Sequence, residues 1–331
     1  MRSDFAPNRR PARIGRVQRM LTLRTFGWSD LPTDLLAVLA EYTTERSFRA
    51  NEVVFKAGQT PDEIYFVVSG EVEVRGESFS RRLGPKTAVG GLSAYAEEAM
   101  TFDVVAVAPT MTLALAVDDS YDIFEDHFPI LKAVLMALSR ETSELRTRLG
   151  PAAGFSNEIL DDPPDGGKLD LVQRMAALYQ ALRFARAHLE SIADLAREAR
   201  EVRYAAGYVL WREGDAADYM LVIIRGKIDC TTEAGQQFSL GPEDAAGTAA
   251  NLAKTPRWYK ATVSRDLVAL HVRHESFYDI LEDRFELAME VVTGLSRFVL
   301  SLVEQAHPLA SASSLEAGEE EASAGEARPA G

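Results

Sequence analysis

The sequence predicts a mainly β fold with helical caps, built as two tandem β-rolls of the jelly-roll kind. Three observations lead there. The 331 residues repeat themselves at an offset near 156: Asp122-Ile-Phe-Glu-Asp-His-Phe128 returns as Asp279-Ile-Leu-Glu-Asp-Arg-Phe285, and Val17-Gln-Arg-Met20 returns as Val172-Gln-Arg-Met175. The glycines keep step, Gly58 with Gly214, Gly70 with Gly226 and Gly90 with Gly247. A period this long means two whole domains, not a solenoid of short units. Each half also holds several short apolar runs punctuated by glycine, and each closes on apolar residues at helical spacing. Short strands, glycine turns and flanking helices together fit a small antiparallel roll.

The elements follow in order. Residues 1–24 are expected to form a flexible basic arm, since residues 1–19 carry six arginines against one acid, Asp4. The first roll is placed at 25–149. It opens on a helix after Pro32, with Leu35, Leu36, Val38 and Leu39 on its apolar side. Strands are expected at Val53-Val-Phe55, Ile64-Tyr-Phe-Val-Val68, Glu71-Val-Glu-Val-Arg75, Val104-Val-Ala-Val-Ala108 and Met111-Thr-Leu-Ala-Leu-Ala116. A long helix closes it through Ile130, Leu131, Val134, Leu135, Leu138 and Leu145. Residues 150–168 read as a linker, because their prolines and glycines oppose both helix and strand. The second roll is placed at 169–306. Its opening helices run to about Arg200, with strands at 208–212, 219–224, 227–231, 262–263 and 268–272, and helices at 275–283 and 286–305. Residues 307–331 are poor in large apolar groups and rich in Ala, Ser, Glu and Gly, so a disordered acidic tail is expected.

Composition narrows the function classes. The net charge is −14, with 30 basic against 49 acidic residues beyond position 19, which argues against nucleic acid as the main partner. No run approaches the length of apolar sequence that a membrane helix needs. The N-terminus lacks the apolar stretch of a signal peptide, so the cytoplasm is the default address. One cysteine, Cys230, excludes an internal disulfide framework and reads as a small core residue. No phosphate loop, nucleophile elbow or two-histidine helix motif appears. His271 and His274 lie near a strand end, where alternation would turn them to opposite faces and a surface location is expected rather than a metal site. No enzyme activity is expected, and no metal.

Gly58-x3-Asp62-x2-Tyr65-Phe-Val-Val-Ser-Gly70 and Gly214-Asp215-x2-Asp218-Tyr-Met-Leu-Val-Ile-Ile-Arg-Gly226 resemble the opening β-roll of cyclic nucleotide-binding domains. The resemblance covers about 25–148 and 180–305 and implies a ligand cassette in each copy. In that family a Phe-Gly-Glu turn opens a short helix. Backbone N–H groups and an arginine from a Pro-Arg-x-Ala-Thr stretch hold the cyclic phosphate, and the glutamate takes a ribose hydroxyl. The first copy departs from this pattern: Gly91 stands for the glutamate, Met100 for the arginine and Asp103 for the threonine, with Glu97 and Glu98 nearby. The second is a partial match. Ala246-Gly247-Thr248-Ala249-Ala250 replaces the turn, with Thr248 in place of the glutamate. Pro256-Arg257 keeps its spacing from Gly247, and Ala261-Thr262-Val263 ends the cassette. Two extra residues in Trp258-Tyr259-Lys260 leave two readings open: Arg257 or Lys260 as an anion ligand, or both as surface cations beside a half-exposed tryptophan.

The expected function is a non-catalytic regulatory or scaffolding protein in signal transduction, acting through a protein partner. The alternative is a receptor for a cyclic nucleotide or related small molecule, held in the second roll by Gly247, Thr248, Ala249, Arg257 and Thr262. No recognition helix follows the second roll, so no DNA partner is expected. The apolar face Leu295, Phe298, Val299, Leu302 and Val303 suits packing on its own roll, a moving helix that shifts with a partner, or a homodimer through the closing helices. The tandem arrangement also resembles the regulatory subunits of cyclic-nucleotide-dependent kinases, and Arg9-Arg10-Pro11-Ala12 has the form of a pseudosubstrate.

Overall fold

A computed structural model describes residues 14–26, 28, 30–76, 80–150, 167–184 and 186–324, with side chains described as far as residue 306. The Arg-Arg-Pro-Ala run at 9–12, and nearly all of the expected linker, lie outside the described residues. The chain divides into two compact units. The first is Met1–Gly76, Ser80–Ala94 and Ala99–Ile130; the second is Glu77–Phe79, Tyr95–Glu98 and Leu131–Gly331.

The first unit begins with helix α1 (Arg16–Arg24) and helix α2 (Thr33–Tyr42). The expected flexible arm is therefore corrected over 16–24. Leu23 is fully buried, Arg19 donates to the Thr43 carbonyl, Arg16 pairs with Glu41 at 2.6 Å, and the Ile14 N–H reaches the Glu45 carboxylate. Arginines that looked unattached in sequence find their acceptors on α2 and on Thr43, the residue between α2 and the next strand. The strands are β1 (Thr44–Phe48), β2 (Val53–Phe55), β3 (Glu63–Ser69), β4 (Val72–Arg75), β5 (Ser80–Leu83), β6 (Ala88–Val89), β7 (Asp103–Ala106) and β8 (Thr110–Ala116). They form two antiparallel four-stranded sheets, ordered β1-β8-β3-β6 and β2-β7-β4-β5. The short helix α3 (Gly91–Ala96) follows β6, and α4 (Val117–Asp126) follows β8. Gly70, with φ of +86°, sits where the chain leaves one sheet for the other; a Cβ there would strike the Pro109 carbonyl.

The second unit holds the long helix α5 (Phe128–Leu149) from Leu131 onward, then α6 (Leu171–Ala181) and α7 (Leu189–Glu198). The sequence assigned α5 to the first roll. In the structure its Lys132 ammonium lies 4.6 Å over the Tyr278 ring and its Arg146 guanidinium 4.5 Å over Phe298, both in the second unit. Helix α6 starts in a capping box, with Asp170 and Gln173 exchanging side-chain and backbone hydrogen bonds. Then come β9 (Arg200–Tyr204), β10 (Val209–Trp211), β11 (Tyr219–Thr231), β12 (Gln237–Leu240), β13 (Ala245–Ala246), helix α8 (Thr248–Ala253) and β14 (Lys260–Arg273). One antiparallel sheet runs β10-β14-β11-β12, with β13 on β11 and β9 on β14. The two strands expected on either side of Gly226 are one. Gly226, with φ of +94°, makes a bulge rather than a turn, and the register against β14 shifts between Ile223 and Ile228. The strands expected at 262–263 and 268–272 are likewise parts of β14.

Helices α9 (His274–Asp283) and α10 (Phe285–Ala324) close the unit. Helix α10 continues past residue 307, where a disordered tail was expected; Ala and Glu, which dominate that stretch, are strong helix formers. The apolar face of α10 is used within its own unit, where Val299 and Leu302 are fully buried. Arg297 on α10 donates to the Ala96 carbonyl and pairs with Glu98, both in this unit. No described helix is long and apolar enough to cross a membrane.

Candidate functional site

The two cassettes occupy the same place in their rolls, and main-chain hydrogen bonds define it. In the first unit the Gly58 N–H donates to the Met100 carbonyl and the Met100 N–H to the Gln59 carbonyl. In the second the Gly214 N–H donates to the Arg257 carbonyl and the Arg257 N–H to the Asp215 carbonyl. Arg257 is thus held where Met100 is held, and the two extra residues before Thr262 do not displace it.

In the second unit the site is made by β10, β11, the start of α8 and the segment before β14. Gly247 opens α8 with φ of +78°, a left-handed conformation that glycine adopts without strain. Arg257 is not the surface cation that one sequence reading allowed: it is 1% exposed. Its guanidinium carbon lies 4.2 Å from the centre of the Trp211 ring and 5.0 Å from that of Tyr219. One terminal nitrogen donates to the Gly247 carbonyl at 3.2 Å and the other to the Tyr219 carbonyl. A Cβ on Gly247 would fall well inside contact distance of the nearer nitrogen, so the glycine makes room for the arginine. The Nε is buried and without a partner, and among the described residues no carboxylate pairs with Arg257. Burial draws its pKa below the usual value for arginine.

The Gly247 N–H donates at 2.9 Å to the hydroxyl of Tyr259. Tyr259 is 2% exposed, and burial pushes its phenol pKa well up, so the oxygen is a neutral acceptor. Its ring meets Trp211, Phe238 and Trp258 at centroid distances of 5.7, 5.0 and 4.8 Å. The interior of this roll is filled by Trp211, Tyr259 and the aliphatic side chains of β11 and β14.

The other predicted residues divide. Gly247 and Arg257 come together. Ala249 is buried in α8 at 5% exposure. The Thr248 hydroxyl turns back to the Ala245 carbonyl at 3.4 Å. Thr262 sits on β14 opposite Val209 and Asp229 and is not among the partners of Arg257. Sequence reasoning missed Tyr259 and Trp211. The signal for Trp211 was present: it lies 156 positions after Phe55, and Phe55 packs its ring on Gly90 in the first roll as Trp211 approaches Gly247 in the second. In the first roll Met100 is buried at 4% and Asp103 accepts from the Ala57 N–H at 2.8 Å, so neither position supplies a cation.

The expectation of a surface position for His274 is corrected. It is 5% exposed, and its Nδ1 donates to the Asn251 carbonyl at 2.6 Å. Among the described residues no three His, Cys, Asp or Glu side chains gather as metal ligands would.

Comparison with known proteins adds a family. The cyclic nucleotide-binding domain family matches residues 45–127 and 201–284, one match in each roll. No curated protein matches the chain. Among solved structures it is similar to the regulatory domain of Toxoplasma gondii PKA with cAMP, at 17% identity over 81% of this chain and 94% of that one, TM-score 0.32. It is also similar to the regulatory subunit of a cAMP-independent protein kinase A from Trypanosoma brucei, at 16% identity over 83% and 86%, TM-score 0.32. A third is the N-terminal domain of a transcriptional regulator from Streptomyces coelicolor A3(2), at 27% identity over 37% and 90%, TM-score 0.33.

Proposed function

The chain belongs to the cyclic nucleotide-binding domain family, and from that membership we propose a non-catalytic regulatory protein of the cytoplasm that acts by binding another protein, with neither roll holding a cyclic nucleotide. One observation carries this reading: the groups that would grip a cyclic phosphate are already engaged inside the protein. The Gly247 N–H is taken by Tyr259, and Arg257 is drawn inward onto Trp211 and two backbone carbonyls. Binding a phosphate there would break those hydrogen bonds and unstack a buried cation before any gain was made. The first roll has Met100 in place of a cation and Asp103 in place of a neutral hydroxyl, which disfavours an anion outright.

A second reading has its own support. Arg257 is a buried charge with no carboxylate partner among the described residues, and an entering phosphate would supply one. Calorimetric titration with cAMP, cGMP and cyclic dinucleotides to near-millimolar concentration separates the two. The regulatory reading expects no saturable heat from any of them. One-site binding that disappears in Arg257→Met would replace it with the receptor reading. For the partner, the Arg-Arg-Pro-Ala run at 9–12 makes a protein kinase the first to test.

A further inference from the structure

The two units hold their opening helices by the same clamp. On α1, Arg19 donates to the Thr43 carbonyl and the Ile14 N–H to the Glu45 carboxylate at 2.6 Å. On α6, Arg174 stands 155 positions later and donates to the Ala199 carbonyl at 3.0 Å, while the Leu169 N–H donates to the Glu201 carboxylate at 2.9 Å. The clamp accounts for the arginine of the repeated Val-Gln-Arg-Met. It does not account for the valine, since Val17 is 67% exposed and Val172 72%. On that outward side the copies part. Arg16 and Arg24 of α1 reach back to Glu41 and to the Thr33 hydroxyl. The residues 155 positions later are Leu171 and Tyr179, both exposed. Where one copy has two surface arginines the other has two surface apolar groups, over an unchanged clamp.

The exposed face of α6 is Val172, Gln173, Ala176, Tyr179 and Gln180, spaced as one side of a helix. It carries no charge, because Arg174, the one charged residue of α6, is spent on the clamp. Single exposed apolar residues are ordinary, but a neutral helix face stands out on a chain that is 26% charged with a net −14. Charge also selects what covers it. A basic partner would be drawn to the carboxylates elsewhere on the chain and gain nothing here. Two copies of the chain repel each other over most of their surface and approach most easily where charge is missing. A two-fold contact sets a patch against itself, so a face bearing one sign of charge opposes its twin and a neutral face does not. Ala176 lies midway between Val172 and Gln180, and its small side chain lets two helices cross closely at that point. We propose that the chain dimerises through α6, paired antiparallel with α6 of a second copy about Ala176. Val172 and Gln173 of each copy then meet Tyr179 and Gln180 of the other. The closing helix α10, where the sequence suggested a homodimer, spends its apolar face within its own unit. One helix pair buries less than the roughly 1,200 Å² of stable complexes, so the dimer is concentration-dependent. This inference does not rest on what either roll binds, and its failure leaves the regulatory reading standing.

The test is sedimentation velocity of the full chain from low to high micromolar concentration. The expected result is a reversible monomer–dimer equilibrium that tightens as salt is raised, because screening relieves the repulsion between two acidic bodies and no ion pair is lost. Val172→Glu/Tyr179→Glu sets like charges across the axis and should weaken the dimer roughly tenfold or more. Val172→Lys/Tyr179→Glu brings opposite charges together in the antiparallel pairing and should recover most of that loss. Val17→Glu/Leu21→Glu, the matching change on α1, should leave the dimer as it was. Ala176→Cys reports the axis itself. The native Cys230 is buried, so oxidation with diamide should give a disulfide-linked dimer through position 176, and Val172→Glu/Tyr179→Glu in the same chain should prevent it. A chain that stays monomeric at every concentration overturns the proposal, whatever else covers the face. So does a dimer unmoved by Val172→Glu/Tyr179→Glu, one that Val172→Lys/Tyr179→Glu does not recover, or one that falls apart as salt is added. The charged variants alter only exposed side chains and should keep the Tm; Ala176→Cys keeps the test decisive if one of them does not fold.

Discussion

Replacing Gly247 with alanine tests the account of Arg257 most directly. The new methyl group meets two obstacles. Its backbone must hold φ near +78°, which costs an L-residue about 1–2 kcal/mol. Its Cβ also collides with the Arg257 terminal nitrogen. That nitrogen ends a flexible side chain, so it can move, but moving it gives up the bond to the Gly247 carbonyl, and a charge-assisted bond of this kind is worth about 1.5–3 kcal/mol. The total is about 2.5–5 kcal/mol. For a unit of this size that lowers Tm by roughly 10 °C. Fluorescence reads the correct unit, since two of the three tryptophans, Trp211 and Trp258, lie in the second. The double variant Gly247→Ala/Arg257→Met is the sharper measurement. Once the arginine is gone the methyl has nothing charged to displace, so the double variant should be less destabilised than the sum of the singles by about 2 kcal/mol. Strict additivity would mean that the glycine serves only its own backbone, and the reasoning about Arg257 would fail.

Other expectations follow from the same unit. Tyr259→Phe leaves the Gly247 N–H buried without an acceptor and should cost about 1–3 kcal/mol in urea unfolding; no change would mean that the hydroxyl does not cap that group. His271 and His274 both have pKa values held below the ordinary 6.5, in each case chiefly by burial. The unfolded chain therefore takes up protons first as pH falls. Their contribution is complete above about pH 6.5, is lost as pH drops from there toward the folded-state values, and is constant below them, so unfolding free energy measured from pH 7.5 downward should decline. In His274→Gln the decline should be shallower. Asn251 is fully buried with neither amide atom partnered, and its counterpart 157 residues earlier is Ala94. Asn251→Ala should be neutral or stabilising by about 1 kcal/mol, and a clear loss of stability would show that the amide has a role.

Much of the fold was legible because it rests on periodicity and on glycines with one permitted use. Gly70 and Gly226 both hold positive φ next to a carbonyl that excludes any Cβ, so their recurrence marked the repeat. What the sequence concealed was the difference between them. In the first roll Gly70 separates β3 from β4, whereas in the second β11 runs through Gly226 on a bulge, and which occurs depends on pairing with β14 far along the chain. Helix α1 was hidden by its own arginines, whose acceptors Glu41 and Thr43 are distant in sequence. At the site, spacing located Arg257 but could not orient it. Its inward turn depends on Trp211 and Tyr219, from strands 46 and 38 residues upstream, and on a glycine that leaves a gap. Tyr259 was overlooked because a tyrosine among aromatic neighbours reads as core. Its ring is core, and only the hydroxyl acts on the cassette.

The pair of main-chain hydrogen bonds that holds Met100 in one roll and Arg257 in the other involves no side-chain atom of either residue. Position and chemistry are therefore separable here: the backbone mounts the residue, and whichever side chain it carries is presented to the same interior. A duplicated domain of this kind can lose or regain a cation by substitution at that single mount while its strands keep their register. The two rolls of this chain are two settings of one socket, one apolar and one charged, and exchanging them by Met100→Arg and Arg257→Met alters what each interior must satisfy without asking either fold to change.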